Sequence, residues 1–137
     1  MLLVKTKVKK SDIHGVGLFA DEFIPKGTRV WEFTPKFDIE FNMREAFSFS
    51  TFAMKYLMKY SYKSYKNGKY ILCFDDTKYI NHSNNPNMAE MIDFEGEAPD
   101  YALRDIELGE ELTLDYTIID SDYRSKLEDD IWLKKIS

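Results

Sequence analysis

Tyr79-Ile80-Asn81-His82-Ser83-Asn84-Asn85-Pro86-Asn87 and, further along, Gly109-Glu110-Glu111-Leu112-Thr113-Leu114-Asp115-Tyr116 decide the reading of this chain. Each sets a polar, backbone-rich loop beside a short apolar strand, and the second ends on a tyrosine. As a pair they suggest a cofactor site closed by that tyrosine. Asn81 and His82 can each donate and accept hydrogen bonds, which suits a zwitterionic amino-acid group or the edge of an adenine. Plainer readings of the same residues stay open. Asn81-His82-Ser83 fits an N-glycosylation sequon, Asn84 to Asn87 fits a turn closed by side-chain hydrogen bonds, and a lone histidine is often structural. Glu111, Thr113 and Asp115 alternate with Leu112, Leu114 and Tyr116, so Tyr116 is expected to end a strand on the leucine side, where a tyrosine is ordinarily core.

A third segment, Ser11-Asp12-Ile13-His14-Gly15-Val16-Gly17-Leu18-Phe19-Ala20, stands near the amino end. Two glycines one residue apart let a backbone approach a ligand closely, and they equally suit a tight turn between strands.

Around these segments the chain reads as one domain. Its 137 residues and ordinary apolar and charged fractions allow a single core. No stretch approaches the ~20 apolar residues of a membrane span, and the lysine-rich amino end has no signal-peptide core. The expectation is a soluble protein inside the cell: cytoplasmic if bacterial, nuclear or host-directed if viral or eukaryotic. Cys73 is the one cysteine, in the apolar run Tyr70 to Phe74, so no internal disulfide and no cysteine-built zinc site can form. A net charge of −5 speaks against a general nucleic-acid binder and favours a cationic partner such as a lysine-rich peptide.

Hydrophobic period then places the elements. Leu2, Val4, Thr6 and Val8 alternate with Leu3, Lys5, Lys7 and Lys9, predicting a strand with one wetter face. Val16 to Ala20 and Thr28 to Phe33 read as two more, joined hairpin-like across Ile24-Pro25-Lys26-Gly27. Phe49, Phe52, Ala53, Tyr56, Leu57 and Tyr60 recur at three and four residues, a helix beginning near Ser48 or Ser50. Asn67-Gly68 is a turn before a strand over Tyr70 to Phe74. Met88 to Phe94, Tyr101 to Arg104 and Glu111 to Tyr116 complete the strands. From Asp120 to Ile136, Tyr123, Leu127 and Ile131 lie on one helical stripe with Asp120 or Ser121 as N-cap. The sum is a β-rich α+β protein.

The three segments, in this order, closely resemble the signature of the SET-domain protein lysine methyltransferases, over nearly the whole chain from about Leu3 to Tyr116. The resemblance implies a fold of several small twisted sheets around a threaded, knot-like carboxyl segment. It implies a SET domain over residues 1–119, with a variable insert at about 37–69, followed by an amphipathic helix over 120–137. It implies S-adenosylmethionine as cofactor, held by main chain at His14, Gly15, Val16 and Gly17, with Asn81 on the methionyl part and His82 supporting the adenine. Tyr116 matches the tyrosine that lies where the substrate amine meets the methyl group, orienting it and supplying an oxygen dipole. No metal is implied.

Two departures shape the expectations further. Leu114 stands where the family often has Phe or Tyr, and without a hydroxyl there to hold a water, addition of more than one methyl group is expected to be permitted. The cysteine-rich segment that completes the lysine channel in many members is missing, so Tyr123 and Trp132 are the candidates to wall the site, beside Tyr79 and Leu114; Trp132 also has the simpler task of packing its helix down. Short viral members of this size imply a homodimer. The expected substrate is a lysine on a histone or another basic protein, its flanks read by the Phe- and Tyr-rich insert, Tyr62 and Tyr65 included. A catalytically silent module that binds a peptide strand on the same fold is the alternative.

Overall fold

Strand β1 (Thr6–Lys10) and strand β2 (Val16–Ala20) form an antiparallel hairpin, in which Lys10 faces Val16 and Thr6 faces Ala20. The structure is a computed structural model that describes residues 1–124. The alternation read from Leu2 to Val8 is split between two jobs. Leu2 and Val4 pack on the core, whereas β1 itself is almost wholly exposed and earns its strand by pairing.

After β2 come β3 (Arg29–Trp31), β4 (Ile39–Phe41), helix α1 (Met43–Ala46) and helix α2 (Thr51–Tyr60). Then follow β5 (Tyr62–Lys63), β6 (Tyr70–Leu72), a 3-10 turn at Asp76–Tyr79, and β7 (Asn81–His82). Strands β8 (Met88–Glu90), β9 (Asp100–Ala102) and β10 (Thr113–Leu114) lead into helix α3 (Tyr116–Ile119). The chain is thus a β-rich α+β fold of small sheets, with order β3-β9-β8 in one, β4-β6-β5 in another, the β1-β2 hairpin, and a parallel β7-β10 pair.

The hairpin-like connection read across Ile24 to Gly27 is corrected. The turn itself forms, with Thr28 N–H donated to Pro25 O and Gly27 at φ +82°, but it links two sheets rather than neighbouring strands. β3 pairs with β9, while Ile24 bridges to Ile106. Several strands are shorter than their hydrophobic runs, β3 ending at Trp31 and β6 at Leu72. β8 stops at Glu90 because the chain turns through Asp93 and Gly96, both at positive φ, and Ile92 is left exposed. Tyr116 does not end β10: the Asp115 carboxylate accepts the Thr117 N–H at 2.9 Å as an N-cap, so Tyr116 opens a helix instead.

Helix α2 begins where its period and its Ser50 N-cap place it. Its stripe only partly finds cover, however, since Leu57 and Met58 pack against Phe41, Ala46 and Tyr70 while Phe52 is 86% exposed. The main core gathers Leu18, Ala20, Ile24, Val30, Met88 and Ile106 with Ile80, Leu112 and Leu114. Segment 109–114 is strapped on both sides. Leu112 N–H is donated to Leu18 O on one flank, and β10 pairs with β7 on the other. That double strapping brings the three motif segments together. Asp120, expected as an N-cap of a tail helix, is the fully buried C-cap of α3 and accepts the Lys63 and Asp122 N–H groups, each at 2.9 Å. The rest of that expected helix, with Leu127, Ile131 and Trp132, lies outside the described residues.

Candidate active site

Glu111 is the hub of the first half of the site. One of its carboxylate oxygens accepts from Ser11 Oγ at 2.8 Å and from Asn81 Nδ2 at 2.8 Å. The Asn81 amide also reaches His14 O and Val16 O, both at 3.1 Å. Ser11 Oγ in turn accepts the Ile13 N–H at 2.9 Å, which rounds the loop over. The need for glycine follows from this packing. A Cβ on Gly17 would sit 2.1 Å from Glu111 Oε1, and Gly15 turns at φ +49°. Gly17 therefore makes room for Glu111. All donors of Asn81 point into the protein, leaving its Oδ1 as an acceptor that no described residue fills.

His82 governs the second half. Its Nδ1 accepts the Tyr116 N–H at 3.1 Å, so the ring proton resides on Nε2, 3.0 Å from Asn84 Oδ1. Asp115 lies 3.8 Å from the same Nδ1, too far to compete with that bond. The rings of His82 and Tyr116 are 5.5 Å apart. Tyr116 donates its hydroxyl to Ile80 O, and burial next to Asp120 pushes that hydroxyl's pKa well above the ordinary tyrosine value. Asn87 is a structural anchor: its Oδ1 accepts the Thr113 N–H at 2.9 Å and its Nδ2 donates to Glu111 O at 2.7 Å.

Behind Tyr116 lies a cavity of about 60 Å³. Leu114, Ile80 and Ile119 give it apolar walls, and Tyr60 from α2, Tyr62 from β5 and Tyr116 line it with rings. Trp31, Glu90 and Asp100 from the β3-β9-β8 sheet also line it. Such a volume holds a few waters or a narrow alkyl chain. Among the described residues no cluster of His, Cys, Asp or Glu has the makings of a metal site, and no helix is long and apolar enough to cross a membrane.

The sequence profile of the SET domain matches residues 15–117, about three-quarters of the chain. This chain belongs to the SET-domain family. Solved structures agree on the fold. A chain of the Chaetomium thermophilum Polycomb Repressive Complex 2 is 25% identical with a TM-score of 0.65, covering 92% of this chain and 17% of that one. A ctPRC2 chain in an autoinhibited conformation bound to S-adenosylmethionine is 24% identical with a TM-score of 0.62, covering 93% and 17%. A Plasmodium falciparum chain named as a candidate histone methyltransferase is 21% identical with a TM-score of 0.56, covering 84% and 95%. The chain thus spans about a sixth of the Polycomb chains it matches. A comparison with curated protein sequences gives no match.

Within this SET domain the expected residues fall into three groups. His14, Gly15, Val16, Gly17, Asn81 and His82 converge around Glu111 and Tyr116. Leu114 and Tyr116 line the cavity, whereas Tyr79 sits one ring behind it, edge-on to Tyr60 at 5.7 Å. Tyr123 is part-buried beside Arg124 and is not among the cavity walls, and Trp132 lies outside the described residues. Tyr62 does not face outward to read a peptide. Its hydroxyl donates to Glu97 Oε1 at 2.7 Å, and burial holds its pKa well above the ordinary value. Sequence reasoning missed Glu90, Asp100, Trp31 and Tyr60 as cavity residues. For Glu90 a signal existed: counted in twos from the core residue Met88, it faces inward.

Proposed function

We propose that this SET domain is an S-adenosylmethionine-dependent protein-lysine N-methyltransferase acting on a histone or another basic protein. The observation that carries the reading is the position of Tyr116, whose backbone is held by His82 of the motif site while its side chain lines the tyrosine-walled cavity. One residue thus borders both the cofactor side and the amine side.

The residues present fit the cofactor. Asn81 Oδ1 is an open acceptor for the amino group of its methionyl part, and the exposed rim at His14 to Val16 offers main-chain groups beside it. His82 and its neighbours would support the adenine. When bound, S-adenosylmethionine supplies a methyl group already activated on a sulfonium, so the chain's task is alignment and electrostatics. Leu114, Ile80 and Ile119 put an apolar wall along the amine's path, and desolvation against it favours the neutral amine. Tyr116 Oη, fixed by its bond to Ile80 O, would supply an oxygen dipole beside that path. Leu114 brings no hydroxyl to hold a water there, which leaves room for more than one methyl. The exposed Phe- and Tyr-bearing insert, with Tyr65 57% exposed, is the candidate reader of the substrate's flanks.

The test is calorimetric titration with S-adenosylmethionine, together with transfer from labelled cofactor to a mixture of histones and host-cell lysate. Saturable binding and label on a protein lysine are expected. Absence of binding overturns the reading, and binding without transfer to any acceptor favours the silent peptide-binding module.

A further inference from the structure

Glu90 and Asp100 are register partners on β8 and β9, and they share the face on which Met88 and Ala102, the next inward pair, enter the core. The core-facing row of this sheet therefore changes from apolar to carboxyl side chains where it meets the cavity. Asp100 is 5% exposed, and neither carboxylate accepts a hydrogen bond from a described residue. Opposite Asp100, on β3, stands Trp31, whose buried indole N–H also has no partner among the described residues. Two acceptors without donors and one donor without an acceptor, all lining one small cavity, are costly to leave dry. A guest with N–H donors removes most of that cost.

We propose that Glu90 and Asp100 form the inner wall of the amine cavity, receiving the substrate's ammonium group and taking up its proton. The inference deepens the methyltransferase reading and rests on it for the identity of the substrate. In the step itself, an N–H bond of the ammonium breaks, an O–H bond forms on Glu90, and the electron pair remains on nitrogen as the amine's lone pair. Glu90 is half-buried, so water at its edge carries the proton away afterwards. Asp100, deeper in, shares one proton with Glu90 near neutrality, which leaves the pair a single negative charge to attract the cation.

The electrostatics suit an acceptor. Burial, with Glu97 close by, pushes the Glu90 carboxyl up to about 7, while Lys66 on the β5-β6 turn pulls it down. Burial and the charges of Glu90 and Glu97 raise Asp100 well above the ordinary range, and the amino terminus opposes them. Lys59 from α2, Lys78 from the 3-10 turn and Asp120 after α3 are the other charged groups around the cavity. A pair of like carboxylates in one pocket holds a proton between them near neutrality.

The probe is n-butylammonium, a lysine side chain without its backbone, with 1-butanol as a neutral match. Binding is followed on the full chain at pH 7 through the Trp31 indole N–H resonance, assigned with a Trp132→Phe variant. A saturable shift with n-butylammonium is expected, at least tenfold weaker in Asp100→Asn and Glu90→Gln, while 1-butanol binds worse and alike in all three. Equal n-butylammonium affinity in the three proteins, or 1-butanol binding as well as the cation, overturns the proposal. In methyl transfer, Glu90→Gln is expected to lose tenfold or more in kcat/KM and the acid limb of the pH profile, Glu90→Asp to recover part of both, and S-adenosylmethionine affinity to stay unchanged. An unaltered acid limb in Glu90→Gln overturns the proton-acceptor role. Failure of S-adenosylmethionine to bind the wild-type protein sinks the methyltransferase reading separately, and the n-butylammonium titration still decides the cation pocket.

Discussion

Asn81 Nδ2 and Glu111 Oε1 meet at 2.8 Å, joining the Asn-His-Ser segment to the distal strand directly beneath Gly17. Because Glu111 occupies the space that a Cβ on Gly17 would take, glycine there and carboxylate here are one feature. Gly17→Ala should therefore displace Glu111 and its bonds to Ser11 and Asn81, destabilising the fold by about 1–3 kcal/mol. S-adenosylmethionine affinity should fall with it, since His14 O and Val16 O are held by the same amide. A double-mutant cycle with Glu111→Ala checks the cause: the two losses should be strongly less than additive. Additive losses would mean that the two sites act independently.

Tyr116→Phe removes a buried hydroxyl that is donated to Ile80 O. About 1 kcal/mol of stability is at stake, little beside what is expected in the transfer step. Removing an oxygen dipole aimed at the reacting group should slow transfer by on the order of a hundredfold. Cofactor binding should be nearly unchanged, because the Tyr116 N–H bond to His82 is untouched. His82→Ala should instead weaken the cofactor and, by freeing the Tyr116 backbone, transfer as well. Calorimetry and labelled transfer on both variants separate the two patterns.

What local sequence decides was legible. β2 came from its apolar run, α2 from its three-and-four spacing and Ser50 cap, and the β5-β6 turn from Asn67-Gly68, where Gly68 has φ +68°. What long-range pairing decides was not. The turn at Pro25 to Gly27 looks the same whether β3 pairs with β2 or with β9, and only the tertiary fold chooses. Asp115 illustrates a closer contest: its place in an alternating run argued for a strand, and its ability to cap the Thr117 N–H won. The motif residues could be named because each falls in a contiguous segment that resembles the family signature, whereas Glu90 and Asp100 become neighbours only through the β8-β9 register.

The carboxyl cluster also sets a pH dependence of stability. Glu90 is raised to about 7 in the folded chain, above the usual 4.5. Below the usual value it is protonated folded or unfolded, and it costs nothing. Between the two values only the unfolded chain releases the proton, so stability falls as pH rises, and the full penalty persists above 7. Glu90→Gln should consequently melt higher than wild type at pH 8, by about 1 kcal/mol once screening of the half-buried side chain is discounted, and alike near pH 4. Thermal melts at the two pH values check it. A shift of the same size at both would assign the effect to packing instead of ionisation.

Leu114 is 5% exposed and lines the cavity beside Tyr116, so its side chain helps set the space around the amine nitrogen. An alkyl wall offers no hydroxyl to fix a water, and each added methyl group can occupy the room that such a water would take. Wild-type protein is expected to give di- or trimethylated lysine with excess cofactor. Leu114→Tyr should shift the product towards monomethyl by filling that space and adding a hydroxyl. Overpacking a position this buried is expected to cost about 1–3 kcal/mol, so the variant's melt is recorded first to establish that it remains folded at the assay temperature. Mass spectra of the product then decide: strictly monomethylated lysine from the wild type would show that another hydroxyl-bearing wall, Tyr60, Tyr62 or Thr77, already sets the limit.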